Sequence, residues 1–423
     1  MSTTPTRTST ADDDQPSVRF GALRHLSPAG RRAFVGAFGG YGLDAFDYQV
    51  LPLALVAVTA YFRISSGQAG LLNSVTLFVS ALGGLLAGIM ADRIGRTKTL
   101  MITIGTYALF TLLCGLAPNF ELLFTFRALQ GLGFGGEWAV GAVLVAEYAA
   151  PRYRGRVAAL IQSSWAVGWA AAVIVYTLVF NLASPALGWR IMFMTGVLPA
   201  LFVLYLRRKV TDAPRQAVKE ARPRGSFLAI MRGGLGRTTF FAALLATGVQ
   251  GGYYTLGTWL PLYLQKSRHL SVVNTGGYLA FLISGAFVGY LLGGVLSDRI
   301  GRKANFAIFA VAAAGLMLAY TLVPAGANGL LLVLGFPLGF AYSAIFSGFG
   351  AFLAELYPTE LRATGQGFTY NFGRGLGATF PAAVGFLANS FGIGGAMAFG
   401  ALGYVIALVA LVGLPETRGR QLR

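Results

Sequence analysis

Charge is scarce in this sequence. Of 423 residues only 11% are Asp, Glu, Lys or Arg, against about 25% in ordinary soluble domains. Such a chain cannot cover a water-facing surface with charge. Acid is scarcer than base: 15 Asp and Glu stand against 33 Lys and Arg, for a formal net charge of +18. The single cysteine, Cys114, excludes a disulfide-stapled scaffold, and within an apolar stretch it reads as a small packing residue. The two histidines, His25 and His269, lie outside the apolar stretches. They leave no metal-ligand cluster, and no nucleophile–base pair has a recognisable spacing. The expectation is a protein that is not an enzyme and needs no metal or organic cofactor. No G-X-Y period is present, which removes collagen-like folds. The glycine-rich runs follow no strand, so a dinucleotide-binding loop is excluded as well. The first 30 residues are polar and lack the apolar core of a cleaved signal peptide.

What the chain has is hydrophobic length. Apolar residues make up 55%, and the mean hydropathy is +0.65. A helix needs about 20 such residues to cross a bilayer. Twelve stretches qualify, at about 34–62, 68–91, 99–118, 121–148, 157–182, 187–206, 238–265, 274–297, 304–323, 328–355, 363–390 and 392–413. They are apolar on all sides, unlike the alternating ten-residue strands of a membrane barrel. The basic residues are sorted. Twenty-seven fall in the two tails and in the loops after even-numbered spans, four (Arg63, Arg190, Lys266, Arg268) in or beside the other loops, and two (Arg127, Arg374) within spans. This positive-inside bias places both tails in the cytoplasm and suits anionic lipid headgroups. It accounts for the net charge without nucleic acid.

The chain also repeats itself. GGLLAGIMADRIGRTK at 83–98 returns as GGVLSDRIGRK at 293–303, with Asp92 and Asp298 offset by 206. Glu147 and Arg154 in EYAAPRYRG return as Glu355 and Arg362 in ELYPTELRATG, offset by 208. Six spans, a basic linker and six more spans therefore form a duplicated unit, with parallel halves related by an axis along the membrane normal. The expected division is a tail at 1–30, a six-helix bundle at 31–208, a linker at 209–237, a second bundle at 238–413 and a tail at 414–423. The duplicated G…DRxGR loops, the E…PxxxRG ends of spans 4 and 10 and the tail Pro415-Glu416-Thr417-Arg418-Gly419-Arg420 resemble the major facilitator superfamily over about residues 30–420. The D-x-x-D of span 1, the R-x-x-x-G-x-G-x-G-G-E run of span 4 and the GRxxGA of span 11 resemble, more narrowly, its aromatic acid:H⁺ symporters and their sialate and organic-acid relatives. The resemblance implies an all-α membrane protein of twelve helices in two pseudo-symmetric bundles, with a substrate site between them.

At the cytoplasmic ends, Asp92 stands beside Arg93, Arg96 and Lys98, with Gly95 allowing a tight turn. Asp298 with Arg299, Arg302 and Lys303 repeats the device. Glu147 with Arg154 or Arg156, and Glu355 with Arg362, are further acid–base candidates. The resemblance implies charge latches that form in one global state and break in the other, governing gating without touching substrate.

A charge at mid-bilayer costs at least about 2.5–3.5 kcal/mol, so each one needs a partner, a cavity or a task. Asp44 and Asp47 lie in span 1 at a spacing that puts both on one helix face. A carboxylate taken out of water can hold a proton near neutral pH and release it when solvated or paired. Asp44 is the first candidate proton carrier, then Asp47, then Glu137 of span 4. Arg374 stays charged, and its planar fork suits a carboxylate. It either binds a substrate carboxylate or neutralises Asp44 or Asp47. Gly373, Gly375 and Gly377 beside it leave room for a ligand or a helix. Arg127, ten residues from Glu137, is too far along the axis to pair with it. Beside the glycine run of span 4 it reads as either structural or substrate-binding.

Aromatic residues near the span centres are candidates for a pocket: Tyr41, Tyr48, Trp138, Trp165, Trp169, Tyr253, Tyr254, Tyr342, Phe346 and Tyr370. Tyr370 and Asn371 lie one turn from Arg374, and Gln130 and Gln250 are further polar candidates. The reading is a monomeric inner-membrane secondary transporter that couples protons to uptake of an organic anion by alternating access. The alternatives are an exporter or sugar carrier of the same fold, or a membrane sensor that has lost transport.

Overall fold

A computed structural model describes residues 26–136, 154–209 and 227–418. Among them the chain is helical throughout, with no strand. The first half holds α1 (Pro28–Phe62), α2 (Ser66–Ile94), α3 (Arg96–Leu116), α4 (Phe120–Phe134), α5 (Arg154–Leu182), α6 (Pro185–Met194) and α7 (Val197–Lys209). A short 3₁₀ turn, Phe227–Met231, leads into the second half: α8 (Gly233–Lys266), α9 (Val272–Ile300), α10 (Arg302–Leu322), α11 (Asn328–Ser347), α12 (Phe349–Glu355), α13 (Arg362–Gly377), α14 (Thr379–Ala398) and α15 (Gly400–Val412).

Nine described stretches are long and apolar enough to cross a membrane. The other three of the twelve spans are α4, which runs into undescribed residues, the short α15, and α8. The helix α8 has the length, but Thr247, Gln250, Thr255 and Thr258 lie buried along it and dilute its apolar character. Spans 6 and 10 each consist of two helices, broken at Thr195–Gly196 and at Gly348. Gly392, with φ +68°, divides span 11 from span 12 inside α14. The helix of span 7 begins at Gly233, within the expected linker.

Local chemistry sets the ends. The hydroxyl of Ser27 caps α1 by accepting from Gly30 N at 3.1 Å, and Asn119 caps α4 by accepting from Leu122 N at 2.9 Å. Ser65 and Gln68 form a reciprocal capping box at the start of α2. The two DRIGR loops turn the same way: Gly95 joins α2 to α3 at φ 97°, and Gly301 joins α9 to α10 at φ 101°. An L side chain rarely adopts that backbone, so glycine is required in both.

Packing repeats with the sequence. In the first half α1 packs on α5, α2 on α4, and α3 on α4 and α7; in the second half α8 packs on α13, α9 on α11, and α10 on α11 and α15. Adding six spans to each member of the first set gives the second. The halves meet where α2 touches α13 and α14 and where α5 touches α9, again a pair exchanged by the repeat. The fold is thus two pseudo-symmetric six-span bundles around a shared interface.

Candidate functional site

A cavity lies between the halves near mid-span. Tyr41 and Asp44 of α1, Phe134 of α4, and Gln162 and Trp165 of α5 line one side. Tyr253 and Tyr254 of α8, Tyr290 of α9, Phe346 of α11, and Tyr370 and Arg374 of α13 line the other. Arg374 is 5% exposed. Its guanidinium sits 5.0 Å from the Tyr370 ring centroid and 5.9 Å from that of Phe134, the reach of a cation–π contact. Its hydrogen bonds are long: 3.4 Å from Nη1 to the Gly135 carbonyl and 3.4 Å from Nη2 to the Tyr370 hydroxyl. Its Nε has no partner. No carboxylate of the described residues forms an ion pair with it. The strongest donor in the cavity is therefore only loosely engaged.

The two span 1 carboxylates occupy different surroundings. Asp44 lines the cavity. Asp47, 1% exposed, turns into the first bundle. Its Oδ1 accepts from Thr111 Oγ1 at 2.5 Å, and its Oδ2 accepts from Gln130 Nε2. The chain of bonds continues. Arg127 Nη1 donates to Gln130 Oε1 at 2.6 Å, and Arg127 Nη2 donates to Asn73 Oδ1 at 3.2 Å. Asn73 Nδ2 reaches the Thr258 hydroxyl of α8 at 2.5 Å and the Tyr48 hydroxyl at 3.3 Å. One buried network thus joins spans 1, 2, 3 and 4 and crosses to span 7. Asp47 and Arg127 balance each other within it through Gln130, and Arg127 lies off the cavity wall.

Gln250 ties α8 to α13 by donating to the Tyr370 carbonyl at 3.0 Å, and it holds Tyr254 by accepting from that hydroxyl at 2.9 Å. Asn371 donates back to the Gly367 carbonyl at 2.9 Å and sits against Gly84 of α2 at the bundle interface. Tyr342 stands behind the wall, its ring 5.0 Å from that of Tyr253. Of the glycines around Arg374, Gly373 and Gly377 admit the backbone of α8 and Gly375 faces Ala81 of α2, so they make room for helices. Glu137, Trp138 and Glu147 lie outside the described residues, as do the side chains of Asp92 and Arg154. Sequence reasoning passed over Gln162, Tyr290 and Phe134 on the wall and Asn73 and Thr111 in the network. The signal for Asn73 and Gln162 was an amide inside an otherwise apolar span.

The major facilitator superfamily model matches residues 37–380 and 280–423. The chain belongs to the major facilitator superfamily. It is 38% identical over 398 residues to a protein of Cupriavidus pinatubonensis named as a probable 4-methylmuconolactone transporter, covering 93% of this chain and 92% of that one. It is 29% identical over 395 residues to the cis,cis-muconate transport protein of Acinetobacter baylyi, covering 91% and 94%. Among solved structures, a bacterial homologue of the human lysosomal transporter Spinster in an inward-facing, unoccupied conformation superposes with a TM-score of 0.74 at 20% identity, covering 92% and 97%. That likeness speaks to the fold.

In this superfamily member the DRIGR end of the second bundle forms one connected cluster. Arg302 grips Glu355 with two bonds, Nη2 to Oε1 at 2.9 Å and Nε to Oε2 at 3.2 Å, and reaches Asp298 Oδ1 at 2.6 Å. Arg362 donates to the Ala354 carbonyl at 3.0 Å and to the Thr359 hydroxyl at 3.2 Å. The base that grips Glu355 in two bonds therefore comes from the neighbouring DRIGR loop, because α12 ends against the start of α10. Arg93 and Arg299 are exposed. The tail joins as well: Thr417 Oγ1 donates to Glu355 Oε2 at 2.5 Å, and Glu416 accepts from the backbone N–H groups of Arg302 and Lys303, both at 3.0 Å. Glu416 thereby caps the N-terminus of α10, where backbone donors and the helix dipole favour an anion.

Proposed function

We propose that the protein couples proton entry to uptake of an organic anion across the cytoplasmic membrane, with both termini in the cytoplasm. The observation that carries this reading is Arg374: a permanent cation at mid-membrane, facing a cavity shared with Asp44 and loosely engaged by protein groups. A buried cation in such a place calls for an anion. The two relatives named above take their names from a muconolactone and a muconate, which are organic acids.

In the cycle we propose, the site first faces outward. A proton settles on Asp44, which leaves the field of Arg374 unopposed within the cavity. A substrate carboxylate then binds the guanidinium, and the aromatic wall packs against its apolar body. The loaded bundles rock, the site opens inward, and substrate and proton leave. Coupling arises because proton and anion each bind better in the presence of the other. Asp47 keeps Arg127 neutralised throughout and serves as a framework charge.

Proteoliposomes with a trapped pH dye test this. A panel of organic anions added outside should acidify the lumen with wild type. Asp44→Asn should abolish acidification, and Arg374→Lys should retain little transport, because the bidentate geometry is lost. Undiminished pH-driven uptake by Asp44→Asn would sink the proton assignment.

A further inference from the structure

Trp165 of α5 lines the same cavity and is 7% exposed. Four rings hold its indole, with centroids at 5.0 Å (Tyr41), 5.8 Å (Tyr48), 6.3 Å (Phe134) and 6.5 Å (Tyr253, from the other bundle). Its Nε1–H has no hydrogen-bond partner. Indole nitrogen only donates, and a buried donor left unmade is destabilising. Two neighbouring pairs are engaged with each other: Tyr254 donates to Gln250, and Gln162 donates to the Tyr41 oxygen at 3.0 Å. Among the described lining residues, two therefore carry a buried donor without a partner, on helices of different bundles: Arg374 Nε on α13 and Trp165 Nε1 on α5. Among the described lining residues Arg374 is the cation.

We propose that Trp165 reads a second, uncharged oxygen on the transported anion, so that the substrate is a monoanion with its carboxylate at Arg374 and a carbonyl, ether or hydroxyl oxygen at the Trp165 N–H. This rests on the organic-anion reading above. The rings around Trp165 fix its plane before the ligand arrives, so little side-chain freedom is lost on binding. A site built to donate to an oxygen discriminates strongly against the analogue that lacks it, because the donor is then left unpaired. A second carboxylate fits worse. It would bring another charge out of water beside Asp44, with no second cation among the described lining residues to receive it.

The test uses the full chain in lipid nanodiscs and matched pairs of acids differing in one oxygen: methoxybenzoate against ethylbenzoate, and acetylbenzoate against isopropylbenzoate, each as para and meta isomers, with terephthalate as the dianion. Calorimetry should show the oxygen-bearing member of at least one pair binding about tenfold tighter. In Trp165→Phe, which keeps an aromatic ring and loses the N–H, that ratio should fall to about one while the alkyl member binds as before. In indole N–H spectra, where the protein has five tryptophans, the signal missing from Trp165→Phe should move with the oxygen-bearing acid and not with its alkyl partner. A wild-type ratio of one across all pairs, or a ratio that survives in Trp165→Phe, overturns the proposal, as does terephthalate binding as tightly as the favoured monoanion. If no acid binds, or Arg374→Ala binds them unchanged, the organic-anion reading itself falls. If Trp165→Phe loses even the alkyl acids through misfolding, Trp165→Tyr takes its place in both measurements, with the same outcomes expected.

Discussion

Asp44 and Asp47 stand three positions apart, close to one turn, yet they meet different chemistry. The former lines the cavity, and the latter is consumed by Thr111 and Gln130 inside the first bundle. The charge on Arg127 is held the same way, by the neutral amides of Gln130 and Asn73, and Gln130 links it to Asp47. Removing one charge of such a buried set leaves the other uncompensated, which typically costs about 3–5 kcal/mol, while replacing both can be near neutral. Arg127→Met alone should therefore destabilise the protein by about 3–5 kcal/mol. Arg127→Met with Asp47→Leu should recover much of that loss. Thermal unfolding in detergent measures both. If the double variant were less stable than either single one, Asp47 and Arg127 would not be the balancing pair.

At the scale of the helix, glycine is the means of close approach. Gly131 and Gly133 of α4 and Gly135 at its C-cap bring the backbone against Thr76, Thr103 and Ser80 on α2 and α3, with no room for a Cβ. Gly301 serves a different purpose, since its φ of 101° aims the first N–H groups of α10 at Glu416. Burial works to raise the Glu416 carboxyl, but N–H bonds from Arg418, Arg302, Lys303 and Thr417 outweigh it and hold the group below its ordinary value. A depressed carboxyl stabilises the docked tail at pH above its ordinary value of about 4.3 and loses that contribution as pH falls through the lower folded value. Hydrogen exchange at the Thr417 and Arg418 amides should therefore show protection from pH 8 down to about 4.3 and loss in stronger acid. Glu416→Gln should be unprotected across the whole range. Protection of that variant at neutral pH would mean that Thr417 and Glu355 hold the tail without it.

At the scale of the molecule, the halves are joined away from the DRIGR loops. Ser74 Oγ accepts from Ala382 N at 3.0 Å, Gly67 faces Phe386, and Gly276 of α9 faces Thr177 of α5. Toward the DRIGR loops, a Cβ on Gly88 of α2 or Gly367 of α13 would meet nothing within 4 Å among the described residues. Alternating access requires the first set of contacts to part. A Cβ on Gly276 would lie 3.8 Å from the Thr177 Cβ, within the range a disulfide spans. Gly276→Cys with Thr177→Cys should therefore oxidise to a crosslink that stops transport until it is reduced. Cys114, buried and free, offers no competing surface thiol. Transport that continued through a complete crosslink would show that these helices do not separate in the cycle.

The sequence alone determined the membrane, the span count and the duplication. Apolar length and scarce charge are read residue by residue by the bilayer, and a repeat needs no partner in order to be seen. It also marked Asp44, Asp47, Arg127 and Arg374 as residues needing a reason, because a charge in hydrocarbon is costly wherever it faces. Which way each one faces was decided only by the tertiary structure. A helix can turn about its axis without changing its sequence, and packing sets that angle. The packing put Asp44 on the cavity and Asp47 off it, gave Glu355 the Arg302 of the neighbouring loop, and left the N–H of Trp165, a residue of the same cavity lining, without an acceptor.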